Sequence, residues 1–318
     1  MPESDSIKRR AAWISVLSNT CLIIAKVIVG ISINSVSVIS EAIHSGMDLA
    51  ASVIALFAVK TSAKPADEEH AFGHGKFENL SGAIEALLIF VAALWIIFEA
   101  AKKIQHPEEQ GLDTPLAGVA VMAGSSLVNW FVSRYLFRVG HATDSVALQA
   151  DAWHLRTDVY TSMGVMAGLG MIFLGDFVID WLPLTDAAKK HWQDQLHWID
   201  PLAAIVVAVM IMRAAWHLTV KAARDLTDAQ LPADEVAKIR QLLLEQAPDV
   251  HGFHKMRTRK AGDRRFIDFH IWVDPKMTVE ASHELAHTLA RKLEATIGPC
   301  SVIVHVEPCR GGCEAGRH

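Results

Sequence analysis

The sequence predicts a membrane domain of six transmembrane helices over residues 1–230. A small cytoplasmic α+β domain follows over residues 231–318, with the element order αββαβ in a ferredoxin-like arrangement. Three observations carry this reading. The hydrophobic fraction is 51%, and the apolar residues are concentrated in the first two thirds of the chain. Six apolar stretches are long enough to cross a bilayer, which takes about 20 residues of helix. Beyond Leu231-Pro232 the long apolar runs give way to short segments with helical and alternating periodicity.

The six stretches fall at 12–33, 37–59, 80–101, 115–137, 145–175 and 199–220. The N-terminus is polar through Arg10, and no small-residue cleavage site follows the first run, so that run reads as a retained helix. Lys26 inside it is an isolated charge that Glu41 or Glu85 could neutralise. The fourth stretch carries Gly118, Gly124, Ser125 and Ser126, and the fifth Gly164, Gly168 and Gly170, small residues that let membrane helices approach closely.

An even number of spans places both termini on one side. That side collects Lys8, Arg9, Arg10, Lys60, Lys64, Lys76, Arg134, Arg138, Lys221 and Arg224, against Lys102, Lys103, Lys189 and Lys190 on the other. By the positive-inside rule both termini are cytoplasmic, in a multi-pass protein of the cell inner (plasma) membrane. The loop 176–198 is then external. The last segment reads as helix 233–247, strands 253–259 and 264–273 joined by a turn at Gly262, helix 278–297 stopped by Gly298-Pro299, and strand 301–306. A net charge of -5 gives no case for a nucleic-acid partner. No G-x-x-x-x-G-K-[ST] loop is present to bind a nucleotide. The four cysteines make no disulfide framework, and Cys300, Cys309 and Cys313 suit a reducing compartment.

The chemistry concentrates in three places. His44 and Asp48 in the second stretch, and His154 and Asp158 in the fifth, are each spaced i,i+4 and so share a helix face. Ionisable groups inside a membrane run are costly and mark ion pathways. Two such faces turned together give two nitrogens and two carboxylates, a set that tetrahedral Zn²⁺ accepts. The loop after the second stretch brings Asp67, His70 and His74 close in sequence, with Gly73 and Gly75 flanking His74. The C-terminal domain holds His251, His254, His270, His283, His287 and His305, with Glu307 and Cys309. Phe266, Asp268 and His270 share one strand face, as do His305 and Glu307. Histidines gathered on neighbouring elements beside a carboxylate look like a site for one or two metal ions. The run His283-Glu284-Leu285-Ala286-His287 also matches H-E-x-x-H, which opens a different reading as a membrane-anchored zinc peptidase. A metal sensor without transport is a third reading.

These residues resemble the cation diffusion facilitator family, and specifically its bacterial zinc exporters. The most specific pieces are Asp67…His70-Ala-Phe-Gly-His74-Gly-Lys76, Asp151-Ala-Trp-His154-x-x-x-Asp158 and His305-Val-Glu307-Pro-Cys309. The resemblance implies a secondary active transporter, not an enzyme, that exchanges divalent metal for protons and works as a homodimer in the lipid bilayer. Its cargo would be Zn²⁺, also a regulatory ligand, with Cd²⁺, Fe²⁺, Co²⁺ and Mn²⁺ as further candidates. By position, His44, Asp48, His154 and Asp158 match the transport site. Asp67, His70 and His74 match a loop site. His254, His270, His283, His305 and Glu307 match a binuclear cytoplasmic site, and Lys76 with Asp228 a charge pair that holds the dimer's helices together. The chain departs from the pattern in carrying His44 where many bacterial members have Asp, and Glu307 where Asp is usual.

Overall fold

The computed structural model describes residues 2–32, 36–105, 116–181, 199–246 and 249–310. The side chain of His44 falls outside this description, as do residues 182–198 of the predicted external loop, Cys313 and His318. The described residues form two compact units. One comprises Met1–Lys64 and Leu80–Ala222, the other Pro65–Asn79 and Ala223–His318.

Six long helices precede the C-terminal segment: α1 (Pro2–Ser32), α2 (Val36–Ser62), α3 (Lys76–Gln105), α4 (Leu116–Ala142), α5 (Val146–Trp181) and α6 (Ile199–Leu226). They outrun the apolar stretches at several ends because the flanking polar residues are good helix formers, such as Lys8, Arg9 and Arg10 in α1. Among the described residues, Ser4–Val29, Lys76–Lys102 and Ala204–Leu226 are long and apolar enough to cross a membrane.

The first unit is packed inside out relative to a water-soluble bundle. Leu17, Phe57, Leu87, Trp95, Phe131, Val206 and Trp216 are exposed, whereas Ser15, Ser52, Glu85 and Asp151 are fully buried. Apolar groups outside and polar groups inside are what a hydrocarbon solvent demands. Small residues set the contacts. Ala11 and Ala12 of α1, Ala58 of α2 and Ala147 and Ala152 of α5 pack with Leu136, Leu148 and Leu155. Ala86 and Ala93 of α3 meet Ile211, Ala215 and Leu218 of α6. Lys26 is buried and donates to Ser45 Oγ at 2.6 Å.

The second unit continues with α7 (Ala233–Leu244), β1 (Gly252–Ala261), β2 (Arg264–Val273), α8 (Val279–Ile297) and β3 (Cys300–Pro308). β1 and β2 form an antiparallel hairpin, and α8 carries the chain across so that β3 joins β2 in parallel. Thr278 caps α8 by accepting the Ala281 N–H, and Gly298 ends it at φ +88°. Ile267, Phe269, Ile271 and Val273 of central β2 alternate inward, against Ile239 and Leu243 of α7 and Leu289 and Leu293 of α8. His270 and Trp272 therefore point to the other face. Arg265 clamps β2 to α7 through two hydrogen bonds to Glu235, at 2.6 and 2.9 Å. Cys309 is disulfide-bonded, contrary to the reduced state expected of it.

The hairpin tip rests on the loop before α3, backbone against backbone. Gly262 (φ +61°) donates its N–H to Asn79 Oδ1 at 2.8 Å. A Cβ on Gly75 would overlap the Ala261 carbonyl. Gly75→Ala is accordingly expected to push the loop off the hairpin, at a cost of about 1–3 kcal/mol for overpacking. Faster hydrogen exchange at the Ala261–Arg264 turn of the full-length protein checks it; unchanged protection there would refute the close approach.

Candidate metal sites

Three groups of His, Asp and Glu bring their ligand atoms within 4.8 Å of one another among the described residues. The first lies in the helical unit and consists of Asp48, His154 and Asp158. Asp48 comes from α2, while His154 and Asp158 come from successive turns of α5. His154 Nε2 is 3.1 Å from Asp48 Oδ1, and both side chains are nearly buried, at 13% and 8% exposed. His154 Nδ1 is buried without a hydrogen bond. Two carboxylates and an imidazole thus converge within an apolar bundle, a donor set suited to borderline divalent metals. His44 stands one turn before Asp48 on α2.

Asp67, His70 and His74 form the second group. The segment folds back on itself: the His70 N–H donates to Asp67 Oδ1 at 2.7 Å and the Gly73 N–H to the His70 carbonyl at 2.8 Å. Gly73, at φ +81°, makes the reversal that returns His74. His74 Nδ1 lies 3.1 Å from the Pro65 carbonyl, which can only accept, so Nδ1 carries the proton. In the neutral ring, the Nε2 lone pair then faces Asp67 Oδ2 at 3.3 Å. Two acceptors at that distance call for a proton or a cation between them. The hydrogen bond from the His70 backbone holds the Asp67 carboxyl below its ordinary value, with both imidazoles adding to the effect.

The third group follows from strand register. His254 pairs with His270, and His270 with His305, so three imidazoles form a row across β1, β2 and β3. Glu307 lies opposite Trp272 and reaches back to the row. Its Oε1 is 2.8 Å from His270 Nδ1, and its Oε2 accepts from Trp272 Nε1 at 3.2 Å and lies 3.4 Å from His254 Nε2. The His270 hydrogen bond is the main cause of a lowered Glu307 carboxyl. His254, His270 and Glu307 make the compact group; His305 stands at its edge, 3.7 Å from Glu307 and more exposed. His283 lies on α8, exposed, with its ring 4.4 Å from that of His287. Trp272, which orients Glu307, was not among the residues picked out from sequence, although it shares the period-two face of His270.

Lys76 and Asp228 pair within one chain, Nζ to Oδ1 at 3.0 Å. Arg259 joins them at 3.2 Å, and its guanidinium lies over the rings of both Phe72 and Phe266, 4.6 and 4.5 Å from their centroids. The Lys76 hydrogen bond, with Arg259 adding, holds the Asp228 carboxyl below its ordinary 3.8. A depressed carboxyl adds stability that is present above the ordinary value and lost as pH falls through the lowered one. Lys76→Met is expected to move the Asp228 titration back up toward 3.8, read by carboxylate NMR. An unmoved titration would remove Lys76 as the cause.

Comparison with known proteins extends over both units. Residues 12–227 match the cation efflux transmembrane domain, and residues 231–309 match the cytoplasmic domain of cation efflux proteins. The uncharacterized transporter sll1263 of Synechocystis is 34% identical over 274 residues, 86% of this chain and 82% of its own. The cation-efflux pump FieF of Cronobacter sakazakii is 29% identical over 300 residues, 94% of this chain and 92% of its own. Among solved structures, the metal-bound C-terminal domain of the CzcD transporter from Thermotoga maritima is 30% identical. It covers 26% of this chain and 99% of that one, with a TM-score of 0.24. With the membrane and cytoplasmic domains of one family matched along almost the whole sequence, this chain belongs to the cation diffusion facilitator family of divalent-metal efflux transporters.

Proposed function

We propose that this protein is a proton-coupled antiporter that exports Zn²⁺ from the cytoplasm. All six long helices cross the inner (plasma) membrane, with both termini in the cytoplasm. The transmembrane part is 1–230 and the cytoplasmic part 231–318, and two copies form the working dimer. The observation that supports this reading best is the convergence of Asp48, His154 and Asp158 inside a bundle whose outer surface is apolar. His44 completes a two-His, two-Asp site of tetrahedral count. Metal binds imidazole and carboxylate only when they are deprotonated, so loading the site releases protons and protonation unloads it. Imidazole, with an ordinary pKa of about 6.5, changes charge across the physiological range. Alternating access of this midplane site to the two sides then couples the flows.

Asp67, His70 and His74 hold a second ion beside the membrane. His254, His270, His283, His305 and Glu307 hold regulatory Zn²⁺ that stabilises the dimer. The test is metal uptake into proteoliposomes containing the purified protein. Zn²⁺ is expected to accumulate in vesicles with an acidic lumen and to stop when an ionophore collapses the gradient, with Cd²⁺, Fe²⁺, Co²⁺ and Mn²⁺ run in parallel. Uptake indifferent to the gradient would reject proton coupling. Tight binding with no uptake of any metal would indicate a sensor, and cleavage of added peptides a peptidase.

A further inference from the structure

Asp151 is fully buried on α5 and belongs to none of the three ligand groups. A carboxylate inside a membrane bundle is costly and rarely without a role. Its Oδ1 accepts a hydrogen bond from Ser52 Oγ at 2.9 Å. Ser52 stands one turn after Asp48 on α2, and Asp151 one turn before His154 on α5. Two bridges therefore join α2 to α5 like adjacent rungs, Asp48 to His154 at 3.1 Å and Ser52 to Asp151.

The second rung reaches a third helix. Asn19 of α1 donates its side-chain amide to Ser52 Oγ at 2.7 Å, and that same nitrogen lies 3.5 Å from the backbone carbonyl of Asp48. Ser15 Oγ is 3.0 Å from Ser52 Oγ. Ser15 also hydrogen-bonds the Asp151 side chain, so two hydroxyls, from α1 and α2, meet the same carboxylate. All four polar residues of this chain, Ser15, Asn19, Ser52 and Asp151, are at most 2% exposed. Asp151 Oδ2 is buried without a hydrogen bond, so the carboxylate is held by the hydroxyls of Ser52 and Ser15. Glu85, another fully buried acid outside the ligand groups, accepts instead from Ser81 on its own helix and links α3 to nothing by that bond.

We propose that Asp151 is a positioning residue for the membrane metal site: through Ser52 and Asn19 it fixes the height and rotation of α2, and with them the Asp48 carboxylate relative to His154 and Asp158. The proposal rests on the reading of Asp48, His154 and Asp158 as the transport site. A metal entering that site replaces the Asp48–His154 contact with bonds to itself, so the upper rung opens with each cycle. The Ser52–Asp151 rung stays made and keeps the ligands in register.

The experiment is Zn²⁺ flux in proteoliposomes of the full-length protein, resolved into KM and Vmax. Ser52→Ala, Ser52→Thr, Asn19→Ala and Asp48→Ala are compared with the parent chain. Ser52→Ala removes a hydrogen bond to a charged acceptor and is expected to raise KM by roughly ten- to a hundredfold. Vmax should change much less, and Ser52→Thr, which retains the hydroxyl, should restore KM to within about twofold, a rescue expected if the hydroxyl is what matters. Asn19→Ala breaks the link to the Asp48 backbone and is expected to raise KM in the same sense. It decides the matter if Ser52→Ala fails to fold. An unchanged KM in either alanine variant, or a threonine variant as impaired as the alanine one, would overturn the positioning role. Normal transport by Asp48→Ala would instead overturn the site itself, so the two failures are distinguishable.

Discussion

Asp158→Ala is expected to abolish metal export, lowering Zn²⁺ flux at least about a hundredfold, beyond the ten- to hundredfold typical of losing an outer-shell partner of a metal ligand. Asp158 is one of three described side chains whose ligand atoms converge within 4.8 Å. Its removal takes away a donor and a negative charge from that group. Asp48→Ala should behave alike, because Asp48 is the contribution of α2 and contacts His154 directly. Neither change touches the apolar contacts of Ala147, Ala152 and Leu155 that pack α5, so the variants should elute as folded protein on size exclusion. Near-normal flux from either would end the case for this site.

The second large effect concerns stability in the other unit. Phe269 is the largest fully buried side chain among the described residues, at the middle of β2 and 1% exposed. Phe269→Ala removes the ring and leaves a cavity between sheet and helices, at a cost of about 3–5 kcal/mol. A small domain commonly has only about 5–15 kcal/mol in all. Hydrogen exchange of the full-length protein in detergent is the suitable readout. Amides of β2 and α8 should exchange roughly two to three orders of magnitude faster while those of α2 and α5 stay protected. Unchanged protection in β2 would show that the core tolerates the loss.

Much of this architecture could be read directly from residue order. Apolar runs located the long helices, and the alternation Ile267, Phe269, Ile271, Val273 put His270 on the open face of β2. His154 and Asp158, spaced i,i+4 on α5, bring their ligand atoms within 4.8 Å of each other and of Asp48. What stayed hidden depends on contacts between distant segments. Alternation says which face His305 occupies but not that it lies opposite His270, since that register is set by how α8 returns the chain. Ser52 and Asn19 look like ordinary small polar residues until α1, α2 and α5 are brought together. Ser45, whose hydroxyl accepts from Lys26, likewise carries no signal of that contact in the sequence. Phe72, exposed in a loop, acquires a role only because Arg259 lies over its ring.

The grouping of Pro65–Asn79 with the C-terminal segment has a consequence for how the chain is made. The bond from Gly262 to Asn79 spans 183 residues. At ribosomal speeds of about 5–20 residues per second, the loop emerges roughly 10–40 s before the hairpin that covers it exists. During that interval it can rely only on its own turn, the short-range contacts among Asp67, His70 and Gly73. The C-terminal segment, made after those helices, docks on this loop, so completion of the second unit reports that every helix between them has been synthesised.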